Sequence, residues 1–178
     1  MPTPRLPVPP LDLPLIGGDR FRLQDEAPPR LTLLAFYRGL HCPICATYLK
    51  ELERLTPAFA ERGVTTLAIS ADDEVRAQAM AEKVGARALR IGYGLPLDVA
   101  RQWGLYLSAG RGKTSIGIEE PALFSEPGVF LVRPDNTLYY LSVQSMPFVR
   151  PNFAELVQAL DFVIRNEYPA RGEYQGAV

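Results

Sequence analysis

The sequence predicts an α/β fold, a three-layer α/β/α sandwich with a mixed central sheet, and three observations predict it. Short, almost wholly apolar runs such as Leu31–Tyr37 suit strands covered on both faces. Between such runs lie stretches whose apolar residues fall at helical spacing. Two β-rich runs then meet at Pro134-Asp135-Asn136, turn chemistry suited to an antiparallel hairpin. The order β-α-β-α-β-(α)-β-β-α implies parallel strands closed by a hairpin and a last helix.

Each element has its own signal. Residues 1–14 carry six prolines, which fix φ and lack an N–H, so this segment reads as an extended arm lying on the domain or left mobile. After Leu31–Tyr37, the stretch from Cys42 to Leu55 places Cys45, Tyr48, Leu49, Leu52 and Leu55 on one helical face. Pro57 is expected to kink or end that helix, and Gly63 to close the segment. Val64–Ser70 is the next strand. Asp72 reads as the N-cap of a helix running to Val84, with Gly85 as its stop. Leu89–Ile91 reads as a third short strand, and 98–103 as a turn or two of helix before Gly104. Gly128–Arg133 and Leu138–Val143 make the hairpin. Asn152-Phe153-Ala154-Glu155 has capping-box spacing and opens a helix with Phe153, Leu156, Val157, Leu160, Val163 and Ile164 on one side. No internal repeat or linker interrupts the chain, so the expected organisation is an arm over 1–14, one domain over 15–168 and a tail over 169–178.

Composition narrows the function classes. Nineteen Lys plus Arg stand against 20 Asp plus Glu in 178 residues, for a net charge of -1. Phosphate binding needs a cationic surplus on one face, so no nucleic-acid partner is expected. No apolar run is long enough to span a bilayer, and no membrane partner is expected. The N-terminus lacks a basic region followed by an apolar one and does not read as a signal peptide. A cytoplasmic, reducing compartment is the expectation, and two cysteines do not make a disulfide framework.

The informative segment is Phe36-Tyr37-Arg38-Gly39-Leu40-His41-Cys42-Pro43-Ile44-Cys45. It sets a C-x-x-C where an apolar strand meets an amphipathic helix. Two residues three apart at a helix start share a face, with Cβ atoms roughly 5–6 Å apart, within reach of a small disulfide ring. The helix N-terminus stabilises a thiolate over a thiol, and Cys42 should feel this most. An attacking thiolate and a resolving thiol are the two parts of a dithiol oxidoreductase, provided the pair is accessible. The plainer alternative makes both cysteines small buried hydrophobes, but they are the only two in the chain and stand at this spacing in this context. No cofactor is expected. Two thiolates and one imidazole fall short of a zinc shell, and Ala46 stands where haem attachment needs histidine.

These residues resemble the peroxiredoxin-like branch of the thioredoxin superfamily, of alkyl hydroperoxide reductase and thiol-specific antioxidant type. The strand followed by the C-x-x-C helix is similar to the thioredoxin unit. Residues 37–45 with Tyr48-Leu49-Lys50-Glu51-Leu52 resemble the branch's redox segment. Leu95-Pro96-Leu97-Asp98 with Trp103-Gly104, and Val129–Asn136, resemble later stretches, over roughly residues 10 to 165. The resemblance implies a thiol–disulfide oxidoreductase or thiol-dependent peroxidase with an antioxidant or redox-homeostasis role. It implies a peroxide or disulfide substrate and a thiol reductant such as a thioredoxin-type protein.

Two superpositions assign the cysteines differently. Laid over a peroxiredoxin, Cys45 takes the peroxidatic position, Cys42 replaces its threonine and Arg38 its upstream proline. The branch's arginine falls near Pro127 and is missing, leaving Arg38 or Arg150 to supply the charge. Laid over a thioredoxin, Cys42 attacks, Cys45 resolves, and Glu126-Pro127 falls where a cis-proline faces the site. Thioredoxin-type chemistry at Cys42/Cys45 is weighed slightly above peroxidase chemistry. A different class, a redox-switched or copper-binding thioredoxin-fold module without turnover, is the alternative; copper chaperones of this fold add a distant histidine, and none follows His41.

His41, the sole histidine, either holds positive charge beside the thiolate or is a partly exposed loop residue. Arg38 has the same two readings, with a solvated position favoured. Tyr37 and Trp103 read as packing residues. Residues 110–115 imitate a phosphate loop, but Leu107 stands where glycine is required and no strand is expected to feed it. The segment 104–124 therefore reads as an exposed insertion that folds over the active face as a lid. The apolar groups Tyr139-Tyr140 and Met146-Pro147-Phe148 are either core or a homodimer surface.

Overall fold

A computed structural model describes residues 1–177. It opens with a small hairpin that periodicity does not reveal, because three-residue strands are too short to show one: β1 (Asp12–Pro14) pairs antiparallel with β2 (Arg20–Arg22). Gly17 and Gly18, at φ +105° and +95°, make the turn. Upstream, Val8 and Arg5 donate N–H groups to Asn136 O and Leu138 O, and Leu138 donates back to Leu6 O, so residues 5–8 lie along the domain.

The central strand is β3 (Leu31–Phe36), buried at all six positions. It leads through a short loop into α1 (Pro43–Glu61) and then β4 (Val64–Ile69), which runs parallel to β3 with Phe36 opposite Ile69. Next come α2 (Glu74–Val84), β5 (Arg90–Gly92) parallel to β4, and α3 (Leu97–Gln102). A second two-stranded ribbon, β6 (Leu107–Ala109) with β7 (Leu123–Ser125), precedes β8 (Gly128–Val132), β9 (Leu138–Val143) and α4 (Phe153–Arg165). The sheet order is β5-β4-β3-β8-β9, with β8 antiparallel to both β3 and β9. This is a mixed sheet between helices, a thioredoxin-like three-layer arrangement.

Strand alternation splits the core into two layers. Leu33, Ala35 and Tyr37 pack with Leu49, Leu52, Phe59, Met80 and Val157 under α1, α2 and α4. Leu34, Phe36, Leu67 and Ile69 pack with Leu13, Phe21, Trp103 and Phe130 on the other face. Trp103 is fully buried there, its ring centroid 5.5 Å from that of Phe36 and 5.1 Å from that of Phe130.

Three local expectations need correction. Pro57 does not end α1, which continues to Glu61 because Leu55 and Phe59 on either side are buried against the sheet. That burial outweighs the missing N–H. The N-cap of α2 is Asp73, whose carboxylate accepts from Arg76 N, and not Asp72. The insertion does have a strand feeding it, since β6 begins at Leu107. No helix among the described residues is long and apolar enough to cross a membrane.

Candidate active site

Strand β3 ends by handing its ladder to one more residue, Tyr37, whose N–H donates to Ile69 O at 2.9 Å. The chain then turns at Gly39, φ +135°, where a Cβ would lie 2.7 Å from an Asp72 carboxylate oxygen. Only glycine fits both the conformation and that approach. Asp72, free of capping duty, accepts from Leu40 N at 2.7 Å and from Arg76 Nε at 3.1 Å. It thereby pins the loop that delivers the cysteines.

Cys42 is the N-cap of α1, and its Sγ accepts from Cys45 N at 3.3 Å. Pro43 occupies the first turn, where a missing N–H costs nothing. Both cysteines are free thiols. Their environments push them apart. The Cys42 thiol is lowered to about 6, chiefly by its hydrogen bond from the Cys45 thiol, with the Cys45 backbone N–H and the charges of Arg150 and Arg38 also contributing against burial. The Cys45 thiol is raised well above the ordinary value, first by burial and then by Cys42. Arg150, between β9 and α4, donates from Nη2 to Cys45 Sγ at 3.2 Å and to Cys42 Sγ at 3.8 Å. Its guanidinium also lies 5.0 Å above the Tyr48 ring.

The expected accessibility is not what the folded site presents: Cys42 is 1% exposed and Cys45 0%. The covering includes a cation and is not sealed apolar packing. Two clefts flank Arg150, of about 650 Å³ and 340 Å³, the second lined by Ile44, Tyr48, Pro147 and Phe148. Met146 and Phe148 are exposed beside it, while Tyr139 and Tyr140 are half-buried.

The other expected site residues fall around this pair in different ways. Arg38 is half-buried and not on an open surface. It lies over the Phe124 ring at 4.6 Å, between Glu120 at 3.5 Å and Glu126 at 3.4 Å. His41 is fully buried against Phe124, its Nδ1 3.5 Å from Arg76 Nη2. Burial, then the charge of Arg38, lowers it to about 4, so it is neutral near pH 7 and brings no positive charge to the thiolate. Pro127 follows a trans bond, since no cis peptide occurs among the described residues; Glu126 beside it is buried and accepts from Ser108 Oγ at 2.6 Å. The insertion closes onto this side: Glu119 O accepts from Arg76 Nη2 at 3.1 Å, and Glu120 reaches Arg38.

Sequence reasoning missed Asp72 as the anchor of the loop and Glu120 and Glu126 as the partners of Arg38. The Asp72-Asp73 doublet was the available signal, because one helix needs only one cap. Among the described residues no three of His, Cys, Asp and Glu gather as a metal cage.

Comparison with known proteins agrees with this fold. The family model described as AhpC/TSA family matches residues 4–141. No curated protein matched the sequence. Among solved structures, a mutant of peroxiredoxin 6 from Arenicola marina is similar, with a TM-score of 0.72 and 19% identity over 93% of this chain and 74% of that one. Peroxidoxin BcpB from Mycobacterium tuberculosis has a TM-score of 0.69 and 21% identity, over 93% of this chain and 99% of that one. AhpC from Enterococcus faecalis has a TM-score of 0.72 and 18% identity, over 94% and 98%. At such identities these structures speak for the fold.

Proposed function

Since the chain belongs to the AhpC/TSA family and is a thiol-dependent oxidoreductase of the peroxiredoxin type, we propose that Cys42 and Cys45 are its working pair, with Cys42 attacking and Cys45 resolving. One observation carries this: Cys42 caps α1 and its Sγ accepts from Cys45 N at 3.3 Å, which favours its thiolate, whereas Cys45 stands one turn inside the helix and is wholly buried, which favours its thiol. Near pH 7 the first is a thiolate and the second a thiol, the protonation states that an attacker and a waiting resolver need.

On a peroxide, Cys42 forms a sulfur–oxygen bond as the O–O bond breaks, and the leaving oxygen takes a proton. Cys45 then attacks the Cys42 sulfur, water departs, and a disulfide remains. On a disulfide substrate the first step leaves a mixed disulfide, which Cys45 opens in the same way. A thioredoxin-type thiol reductant returns the pair to the dithiol, and a cytoplasmic, reducing compartment suits that cycle. Arg150, which donates to both sulfurs, supplies the cation that the resemblance left missing.

A second reading has Cys45 attack first, favoured by its peroxidatic position and by Arg150 lying nearer its sulfur, 3.2 Å against 3.8 Å. Single variants decide the order. Cys45→Ser, treated with glutathione disulfide, is expected to trap a stable mixed disulfide at Cys42, and Cys42→Ser to trap none. The reverse pattern installs Cys45 as the attacker. A reaction with hydrogen peroxide no faster than that of free cysteine removes the peroxidase activity and leaves the disulfide chemistry.

A further inference from the structure

Arg150 reaches the sulfurs from a segment that does little to aim it. Residues 144–152, between β9 and α4, form neither helix nor strand, and Met146, Phe148 and Val149 stand exposed on them. Within that segment the side chain makes one hydrogen bond, from Nε to Pro147 O at 2.9 Å. Among the described residues no carboxylate forms an ion pair with it, and its Nη1 is buried without a partner. A neutral sulfur is a weak acceptor. A long, flexible side chain needs more than these bonds to stay in one place.

The missing support comes from the helix that carries the cysteines. Tyr48 follows Cys45 by three residues on α1, so the two lie on one face. The Arg150 guanidinium carbon lies 5.0 Å above the centre of the Tyr48 ring, within cation–π range. The Tyr48 hydroxyl donates at 2.6 Å to Pro151 O, the carbonyl of the residue after Arg150. The same ring stacks on that of Phe153, the buried first residue of α4, at 4.2 Å between centres. One side chain thus grips residues 150, 151 and 153. A residue that only packs needs the stack on Phe153; it needs neither the hydroxyl bond nor the guanidinium over its face.

We propose that Tyr48 is a positioning residue of the site, holding the Arg150 guanidinium against the Cys42 and Cys45 sulfurs. This rests on the reading that these cysteines are the working pair, with Cys42 the thiolate. The groups acting on Cys42 are few: Cys45 from its own helix, Arg150 from the segment before α4 and Arg38 from the loop after β3. Arg38 is already paired with Glu120 and Glu126, and the adjacent His41 is neutral near pH 7. Arg150 is therefore the cation without a carboxylate of its own. A cation favours the thiolate over the thiol, so releasing the guanidinium raises the pH at which Cys42 ionises.

Iodoacetamide alkylation of the reduced protein, mapped by peptide mass across pH, reads that midpoint. Arg150→Gln is expected to raise it by about one pH unit, a roughly tenfold smaller thiolate fraction on the acid side. Tyr48→Leu, which removes ring and hydroxyl, raises it nearly as far, and Tyr48→Phe, which keeps the ring, raises it less. In the Arg150→Gln background neither Tyr48 substitution moves it further, a dependence that mere loosening of the fold would not produce. Parent midpoints in both Tyr48 variants, or equal shifts with and without Arg150, overturn the positioning role and leave the pair's roles intact. An unmoved midpoint in Arg150→Gln overturns it as well. Should Tyr48→Leu fail to fold, Tyr48→Phe decides by the same comparison. No labelling of Cys42 below pH 8 in the parent overturns the roles themselves, and the positioning with them.

Discussion

Cys42 and Cys45 are the same side chain three residues apart, yet the first sits at the cap of a helix and the second one turn inside it. The cap position gives Cys42 a backbone N–H and the neighbouring thiol as donors, whereas Cys45 has lost all contact with water. His41 follows the same rule with opposite sign. Burial among cations keeps it neutral, at about 4 against an ordinary 6.5. A group whose folded value is depressed binds its proton first in the unfolded chain. Between pH 6.5 and 4, stability therefore rises with pH by up to about 1.4 kcal/mol per pH unit from this residue, and above 6.5 its contribution is flat. Urea titrations across that window are expected to show a shallower pH dependence in His41→Asn than in the parent. Equal slopes would mean that His41 is already charged in the folded protein.

At the scale of elements, the strands and helices of the redox half were legible because their signals are local. The apolar run of β3, the helical spacing after Cys42, the αL glycine Gly85 ending α2 and the Asn152 cap of α4 all appear as expected. The misses have a common cause. Helix α1 passes through Pro57, and the β1–β2 and β6–β7 ribbons form, because of packing against residues far away in sequence. One such support is Glu53 on α1, whose carboxylate accepts from the N–H groups of Arg87, Ala88 and Leu89 at 2.7–3.3 Å and so holds the entry to β5. Glu53→Ala strands three backbone donors at the surface. A loss of about 1–3 kcal/mol is expected, seen as a lower urea midpoint at unchanged slope. An unchanged midpoint would assign that support to the surrounding apolar packing.

Across the whole molecule the site is assembled from segments far apart in the chain: 37–45, 70–76, 119–126 and Arg150. The first was readable, since a C-x-x-C between an apolar strand and an amphipathic helix carries its chemistry in its spacing. The rest was not, because nothing local says that Arg38 is spoken for by Glu120 and Glu126, or that Arg150, 105 residues away, reaches the Cys45 sulfur. The departures from the peroxiredoxin pattern are linked in space. The resemblance implied a proline at Arg38 and an arginine near Glu126-Pro127, and in the fold the charges of Arg38 and Glu126 face one another at 3.4 Å. Arg150, and not Arg38, is the cation hydrogen-bonded to the sulfurs. The polarity of the pair, thiolate at Cys42 and thiol at Cys45, is the claim on which the rest depends. It is tested most directly by alkylating the reduced protein with iodoacetamide from pH 4 to 10 and mapping the labelled cysteine by peptide mass at each pH. Labelling of Cys42 that rises through a midpoint near pH 6, while Cys45 stays unlabelled to pH 9, is the expected result. First labelling at Cys45, or no labelling of either residue below pH 8, would contradict it.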